Sequence, residues 1–126
     1  TLETPGEDGG EKFAVAVDGE EVVGIIGYDE NPRSSIRLHG RSEHPLQLSV
    51  LMVSKTQTKR GIGSLLLAWL ENRARHGGFS EIILTSSVRW KDSWSFYLRH
   101  RYADMGEIQG GHTRIFSKIF LPKVEK

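Results

Sequence analysis

Two glycines and two basic residues stand between an apolar run and an apolar helical pattern, in the stretch 53–78 (VSKTQTKRGIGSLLLAWLENRARHGG). Lys59 and Arg60 directly precede Gly61 and Gly63. The first N–H groups of a helix lack intrahelical partners and carry partial positive charge from the helix dipole. Glycines let a bulky anion approach the main chain, and basic side chains add charge beside it. This pattern predicts a phosphate-binding helix start, although a turn that serves packing alone fits so short a motif about equally well.

Two widespread phosphate-binding motifs do not fit this turn. The P-loop pattern G-x-x-x-x-G-K-[ST] is absent, and the dinucleotide pattern G-x-G-x-x-G fails because position 66 is leucine. We therefore expect a different phosphate compound as the ligand.

Hydrophobic periodicity predicts the elements that position the turn. Residues 46–53 (LQLSVLMV) and 81–86 (EIILTS) are apolar runs typical of buried strands. Between them, apolar residues at helical spacing predict a helix over 63–76, which a Gly-Gly pair ends. The strand–helix–strand unit over 46–86 implies a parallel strand pair joined by a right-handed crossover.

The N-terminal third predicts a hairpin and a long loop. Residues 12–28 contain two β-branched runs around an Asp-Gly dipeptide, the strongest short signal for a β-hairpin. Residues 1–11 are rich in glycine and acid and predict a loose leader. Segment 29–45 is polar and interrupted by proline, so we expect a long loop with a short extended piece at 35–39.

The C-terminal third predicts a helix followed by a strand over 92–121. Asp92 or Ser93 can cap a helix that carries Trp94 and Tyr97 on one side. The alternating sequence RIFSKIFL then predicts a closing strand at about 113–121.

Composition indicates one globular domain over residues 1–126, with 37% hydrophobic and 26% charged residues. The sequence contains no run of about 18 apolar residues, so we expect no membrane-spanning helix.

A formal net charge of +1 weighs against nucleic-acid binding, including an RNA-binding domain that would stack bases on Trp90 and Trp94. The absence of cysteine and of a signal-peptide pattern predicts a cytoplasmic location. The histidines lack metal-ligand spacing, so we expect no metal site; they are His39, His44, His76, His100 and His112.

Two segments keep the spacing of a known pair of family motifs. The first, LMVSKTQTKRGIGSLLL, places Val53 eight residues before Gly61, at the end of an apolar strand and before a helix. The second, DSWSFYLRHRYADMGE, matches an A-x-x-F-Y-x-x-x-G-F-x-x-x-G segment at Phe96, Tyr97 and Tyr102. Together they resemble the acyl-CoA-dependent N-acetyltransferases of the GNAT superfamily, over about residues 12–121.

The resemblance implies an α/β (α+β) fold with a mixed, mostly antiparallel sheet. Its central parallel strand pair is splayed at the cofactor site, as in the acyl-CoA N-acyltransferase fold. The resemblance implies an enzyme that moves an acetyl group from acetyl-CoA, a co-substrate, to an amine acceptor by direct transfer in a ternary complex. The acceptor would be a small-molecule or peptide amine, and homodimers are common in the family. The alternative is a noncatalytic acyl-CoA-binding or regulatory module, because Gln47 stands where some members have a glutamate.

The family register also implies the binding residues. Main-chain groups of the apolar strand would hold the pantetheine arm and the thioester, and the glycine turn would hold the diphosphate. An aromatic residue replaces the asparagine that commonly contacts the arm. These cofactor-binding positions are Leu51, Met52, Val53, Thr58, Lys59, Arg60, Gly61, Ile62, Gly63, Ser64, Trp90 and Tyr97.

Tyr97 is implied as the general acid, since a phenol with a pKa of about 10 is protonated at neutral pH and can donate to the leaving sulfur. Without the resemblance, a packed helix aromatic is the better interpretation of this residue. The general base stays open because the side chain of Gln47 cannot take a proton. Glu43 is the base we carry forward; the alternatives are His44, Asp29, Glu30 and a water chain.

The segment before the hairpin departs from the family pattern. Family members normally have a strand and one or two helices there, which help to form the acceptor site. Residues 1–11 are too few to supply them. We expect that the sequence is a fragment, that a partner chain completes the site, or that the fold is a shortened variant.

Overall fold

The computed structural model describes residues 2–8, 11–55, 61–108 and 112–120. The strands are β1 (Leu2–Asp8), β2 (Glu11–Asp18), β3 (Glu21–Asp29), β4 (Pro45–Val53), β5 (Glu81–Ser87), β6 (Ala103–Ile108) and β7 (Thr113–Ile119). The helices are α1 (Ser34–Arg37), α2 (Ile62–His76) and α3 (Trp94–Arg99), and a 3-10 helix spans Val88–Ser93.

These strands form one mixed sheet in the order β1-β2-β3-β4-β5-β7-β6. In the described part of the chain, β4 and β5 are the parallel pair, and every other neighbouring pair is antiparallel. The fold class expected from the sequence is thereby confirmed. The predicted strand–helix–strand unit corresponds to β4, α2 and β5, and the predicted hairpin corresponds to β2 and β3.

The N-terminal segment differs from the loose leader expected over residues 1–11. Its residues 2–8 form β1, which pairs antiparallel with β2 from Leu2 opposite Ala16 to Asp8 opposite Glu11. The register is irregular between Glu3 and Gly6. Main-chain hydrogen bonds build this edge strand, and they require no alternation of apolar side chains. Side-chain pattern alone therefore could not reveal it.

Two further elements differ from the sequence-based expectation. The segment at 35–39 is not extended, because Leu38 N–H donates to Ser34 C=O (3.0 Å) in the helical turn α1. Strand β6 was not predicted, and it pairs with β7 through a register irregularity between Asp104 and Glu107. None of its residues is buried, and the sequence ADMGEI does not alternate regularly between apolar and polar residues.

Helix α2 packs on one face of the sheet and carries much of the core. Its buried apolar residues contact the core residues of the strands, and they are Ile62, Leu66, Leu67, Leu70 and Ala74. Gly24 of β3 permits this close approach, since a Cβ there would lie 2.9 Å from side-chain atoms of both Ile62 and Leu66. The start of α2 is thereby fixed beside β3 and the end of β4.

The described residues include neither a membrane-spanning helix nor a metal-binding cluster of side chains. None of the helices in these ranges has the length and hydropathy needed to cross a membrane. Within the same ranges, His, Asp and Glu side chains form no group of three or more that could hold a metal ion.

Candidate active site

The parallel pair at the centre of the sheet separates after a short contact. Register partners run only from Pro45 opposite Glu81 to Gln47 opposite Ile83. Beyond this point β4 continues along β3 to its end at Val53, while β5 continues along β7 to its own end. A crevice therefore opens between residues 48–53 of β4 and 84–87 of β5.

A β-bulge in β4 lies at the beginning of this crevice. The register with β3 shifts between Gly27 and Tyr28, which face Val50 and Leu48. Leu48 is in the core and Leu51 packs against it, so the two residues between them both turn to the face opposite α2. A bulge bends its strand and increases the local twist, so this one directs β4 away from its parallel neighbour.

Main-chain groups of β4 point into the crevice. Ser54 N–H donates to Val23 C=O across the β3 pairing (2.8 Å). Because successive residues of a strand direct their N–H and C=O groups to opposite sides, those of Val53 and Leu51 point away from β3 and toward β5. Met52 turns its main chain to Ile25 of β3, and its side chain is 65% exposed. Of the three β4 residues singled out in the sequence, two therefore offer main-chain groups to the crevice.

The glycine turn begins α2 in a left-handed conformation. Gly61 has φ 75° and ψ 16° and stands before the first helical residue, with no side chain capping this end among the described residues. Leu65 N–H donates to Gly61 C=O (3.0 Å), so the N–H groups of Ile62, Gly63 and Ser64 precede the first intrahelical bond. The start of α2 thus presents main-chain donors. The other predicted residues of this turn, Thr58, Lys59 and Arg60, lie outside the described residues.

Gly63 brings three elements together at this helix start. A Cβ at this position would lie 3.5 Å from the Phe96 ring of α3 and 3.6 Å from Val53 of β4, which is ordinary van der Waals contact. The end of β4, the start of α2 and the aromatic side of α3 therefore meet at one point.

Ser64 also connects α2 to the end of α3. Its Oγ lies 3.0 Å from His100 Nε2, and His100 Nδ1 lies 2.8 Å from the carbonyl oxygen of Phe96. A carbonyl only accepts, so Nδ1 carries hydrogen, and Nε2 is the ring atom that forms the hydrogen bond with the Ser64 hydroxyl. This hydrogen bond fixes the side chain of Ser64 toward α3.

Tyr97 is buried in α3, with 8% of its surface exposed. Its ring packs against Tyr102 (5.9 Å between centroids) and Phe116 (6.0 Å). Burial raises the pKa of Tyr97 to about 12. Among the described residues the Tyr97 hydroxyl has no hydrogen-bond partner. Its oxygen is not one of the side-chain atoms that are both fully buried and without a partner. The oxygen therefore reaches the accessible surface while the ring is enclosed.

Two other predicted site residues lie apart from this cluster. Trp90 is 65% exposed in the 3-10 helix that follows β5, at the end of β5 where the crevice is open. Glu43 is exposed in the loop before β4, four residues before Gln47. It precedes Pro45, the first residue of β4, and so lies at the end of β4 that is paired with β5. The structure does not bring Glu43 together with Tyr97.

A buried polar network behind Tyr97 was missed in the sequence. The hydroxyl of Tyr102 donates to Glu71 Oε2 (2.9 Å), and Lys118 Nζ donates to Glu71 Oε1 (3.0 Å). Burial, followed by the charge of Glu71, raises the pKa of Tyr102 far above its usual range. The available signal was a carboxylate at position 71 within the apolar stripe of α2, where a buried charge requires partners.

A sheet divided at its parallel pair, with a glycine-bracketed helix start beside the opening, defines the architecture of the acyl-CoA N-acyltransferases. The family model described as Acetyltransferase (GNAT) family matches residues 3–102. The chain belongs to this family.

Similar proteins include the aminoalkylphosphonate N-acetyltransferase of Salmonella typhimurium, which is 30% identical over 93 residues. That match covers 71% of this chain and 55% of the relative, so the chain spans about half the length of this relative. A GNAT-family protein from Desulfovibrio desulfuricans superposes with a TM-score of 0.74 at 19% identity, over 87% of this chain and 69% of that one. The PaiA N-acetyltransferase of Thermoplasma acidophilum, in complex with coenzyme A, gives 0.69 at 20% identity, over 87% and 61%. The two structural likenesses show the fold.

Proposed function

We propose that this protein is an N-acetyltransferase that moves the acetyl group of acetyl-CoA directly to an amine acceptor. The observation that carries the proposal is the crevice between β4 and β5, into which Leu51 and Val53 direct main-chain groups. An extended amide-containing chain can pair with such groups as a missing strand would. The coenzyme-bound relative from Thermoplasma supports this assignment of the ligand.

The residues around the crevice suit the three parts of the co-substrate. The main-chain donors at the start of α2 favour the diphosphate, as helix starts do for anions. Leu51 and Val53 would hold the pantetheine arm, and a main-chain N–H there would polarise the thioester carbonyl. Trp90, at the open end of β5, would border the arm. The basic side chains of Lys59 and Arg60 and the hydroxyl of Thr58, which lie outside the described residues, stay predicted diphosphate ligands.

Tyr97 is the proposed proton donor to the leaving thiolate. With a pKa of about 12 it stays protonated at every pH at which the enzyme would work. Full transfer of its proton to a thiolate with a pKa of about 8.5 is uphill by about 5 kcal/mol, compared with about 2 kcal/mol for an ordinary tyrosine. Donation is therefore expected to accompany cleavage of the C–S bond, while charge on the sulfur is still growing.

The acceptor is proposed to be a primary amine of a small molecule or a peptide. The similarity to an aminoalkylphosphonate N-acetyltransferase makes small phosphonate amines the first acceptors to test. A noncatalytic acyl-CoA-binding module is the second candidate. It is favoured by Gln47, whose amide cannot act as a base at the end of the β4–β5 pairing.

Calorimetric titration with acetyl-CoA, followed by single-turnover assays with a panel of primary amines, tests the proposal. We expect saturable binding with one coenzyme per chain and acetylation of at least one amine. Binding without transfer to any amine would support the noncatalytic module. A failure to bind acetyl-CoA would contradict both functions.

A further inference from the structure

The face of the sheet opposite α2 carries a polar pair beside the crevice. Ser49 Oγ donates to Glu11 Oε1 at 2.5 Å, joining the start of β2 to the bulge of β4. A Cβ built on Gly27 would lie 2.8 Å from Phe13 and 3.2 Å from Ser49 Oγ, so these side chains share one face. Glu11 shares this face because it is two residues before Phe13 on the same strand.

Ser49 lies on β4 at the point where the crevice begins, where an acceptor could approach the thioester. It lies between Gln47, where pairing with β5 ends, and Leu51, whose main-chain groups enter the crevice. Ser49 is exposed, and Glu11 is partly exposed, so an acceptor can reach the pair from solvent. Tyr97 is packed into the core on the opposite side of the sheet. An amine arriving at Ser49 and a thiol leaving toward Tyr97 would therefore use different faces of the crevice.

We infer that Glu11, acting through the hydroxyl of Ser49, is the general base that deprotonates the acceptor amine. This inference rests on the proposed acetyltransfer. It supplies the carboxylate that Gln47 does not, from β2, which is separated from β4 by β3. Asp29 also lies on this face, as the register partner of both Glu11 and Gln47, and it accepts a hydrogen bond from Asn31 N–H (2.8 Å).

The acceptor amine loses one proton before acetyl transfer and a second proton after it. An ammonium N–H gives its proton to Ser49 Oγ while the Ser49 hydroxyl proton passes to Glu11, which later releases it to solvent. The neutral amine attacks the thioester carbonyl carbon, and a C–N bond forms. The C–S bond then breaks, and the departing thiolate takes the proton of Tyr97. The tyrosinate regains a proton from the second N–H that the amide nitrogen loses, directly or through water.

Glu11→Gln tests the carboxylate, because glutamine keeps the shape and can still accept the serine hydrogen bond. Transfer to 2-aminoethylphosphonate, or to the best acceptor of the panel, is measured as kcat/KM from pH 6 to pH 10. We expect a loss of about 100-fold at pH 7 that shrinks to within about 3-fold at pH 10, where about half of an amine with a pKa of about 10 is already neutral. Acetyl-CoA affinity by calorimetry is expected to stay unchanged.

Three further variants separate catalysis from structure. Ser49→Ala is expected to follow the pH profile of Glu11→Gln with a smaller loss, and Ser49→Thr is expected to restore the rate because it keeps a hydroxyl. Glu20→Gln is the matched control, since Glu20 is exposed in the turn at the other end of the same hairpin. It is expected to leave kcat/KM unchanged at every pH.

The outcomes distinguish this inference from the proposed function. Wild-type transfer together with an unchanged pH profile in Glu11→Gln would overturn the inference and leave the acetyltransferase assignment standing. A pH-independent loss that accompanies a lowered melting temperature would also overturn it, because it would mark a structural role. Wild-type protein that acetylates no amine would overturn both.

Discussion

Replacing Tyr97 with phenylalanine removes one oxygen and keeps the ring that packs against Tyr102 and Phe116. If the hydroxyl protonates the leaving sulfur, kcat should fall by about 100-fold to 10,000-fold, the range of general acid catalysis. Acetyl-CoA affinity should change little, because the ring keeps its packing and the main-chain groups of β4 are unaltered.

The same substitution should not destabilise the fold at neutral pH. The hydroxyl has no hydrogen-bond partner among the described residues, so its removal leaves no described donor or acceptor without its bond. The free energy of unfolding is therefore expected to stay within about 1 kcal/mol of the wild-type value.

At high pH the two proteins should separate in stability. Burial raises the pKa of Tyr97 to about 12 in the folded state, above the value of about 10 expected when unfolded. Between these values the unfolded chain releases this proton and the folded chain keeps it, so wild-type stability falls as the pH rises from 10 to 12. Tyr97→Phe lacks this loss, which amounts to at most about 3 kcal/mol.

Denaturant unfolding from pH 8 to pH 12 and single-turnover kinetics at pH 7 measure both effects. A Tyr97→Phe variant that keeps kcat within threefold would refute the acid role. A loss of acetyl-CoA affinity as large as the loss of kcat would assign Tyr97 to binding instead. Equal alkaline sensitivity of the two proteins would contradict the raised pKa.

Substitutions at three other positions test the packing of the fold and of the crevice. Gly63→Ala should be tolerated because its Cβ would be in ordinary contact with Phe96, whereas the added methyl groups of Gly63→Val should weaken acetyl-CoA binding in calorimetry by at least tenfold. Gly24→Ala places a Cβ 2.9 Å from two side chains of α2 and should lower the free energy of unfolding by about 1–3 kcal/mol in urea titrations. Glu81→Gln alters a fully buried carboxylate that accepts from Arg41 N–H (2.9 Å) and should cost a similar amount, with no effect on the acetyl-CoA dissociation constant. An unaltered stability in either of the last two, or unaltered affinity in Gly63→Val, would contradict the reasoning.

Local signals were sufficient for the central elements of the fold. The predicted helix over 63–76 corresponds to α2, and the predicted strands 46–53 and 81–86 correspond to β4 and β5, because burial imposes periodicity on these segments. The hairpin turn is displaced by one residue, with Gly19 at φ 65° and Asp18 paired to Glu21. Edge strands such as β1 and β6 are held by main-chain pairing with the next strand along the chain, which requires no alternation of apolar side chains, so no periodicity in the sequence predicts them.

The candidate site was only partly accessible from the sequence. The glycine turn is predicted by its spacing before a helix and Tyr97 by the family resemblance, and the structure places both on helices beside the crevice. The pair of Glu11 and Ser49 is 38 residues apart in sequence and depends on the register of three strands and a bulge. Glu43 stays a prediction for the base, and it rests on a position in the loop just before β4.

The shortness of the β4–β5 contact has a mechanical consequence. Only three register pairs join the four strands on one side of the crevice to the three strands on the other. A ligand that lies along β4 would add main-chain hydrogen bonds beyond these three pairs and would hold the two parts of the sheet together. A change that strengthens these hydrogen bonds would then raise both the affinity for the ligand and the rigidity of the sheet.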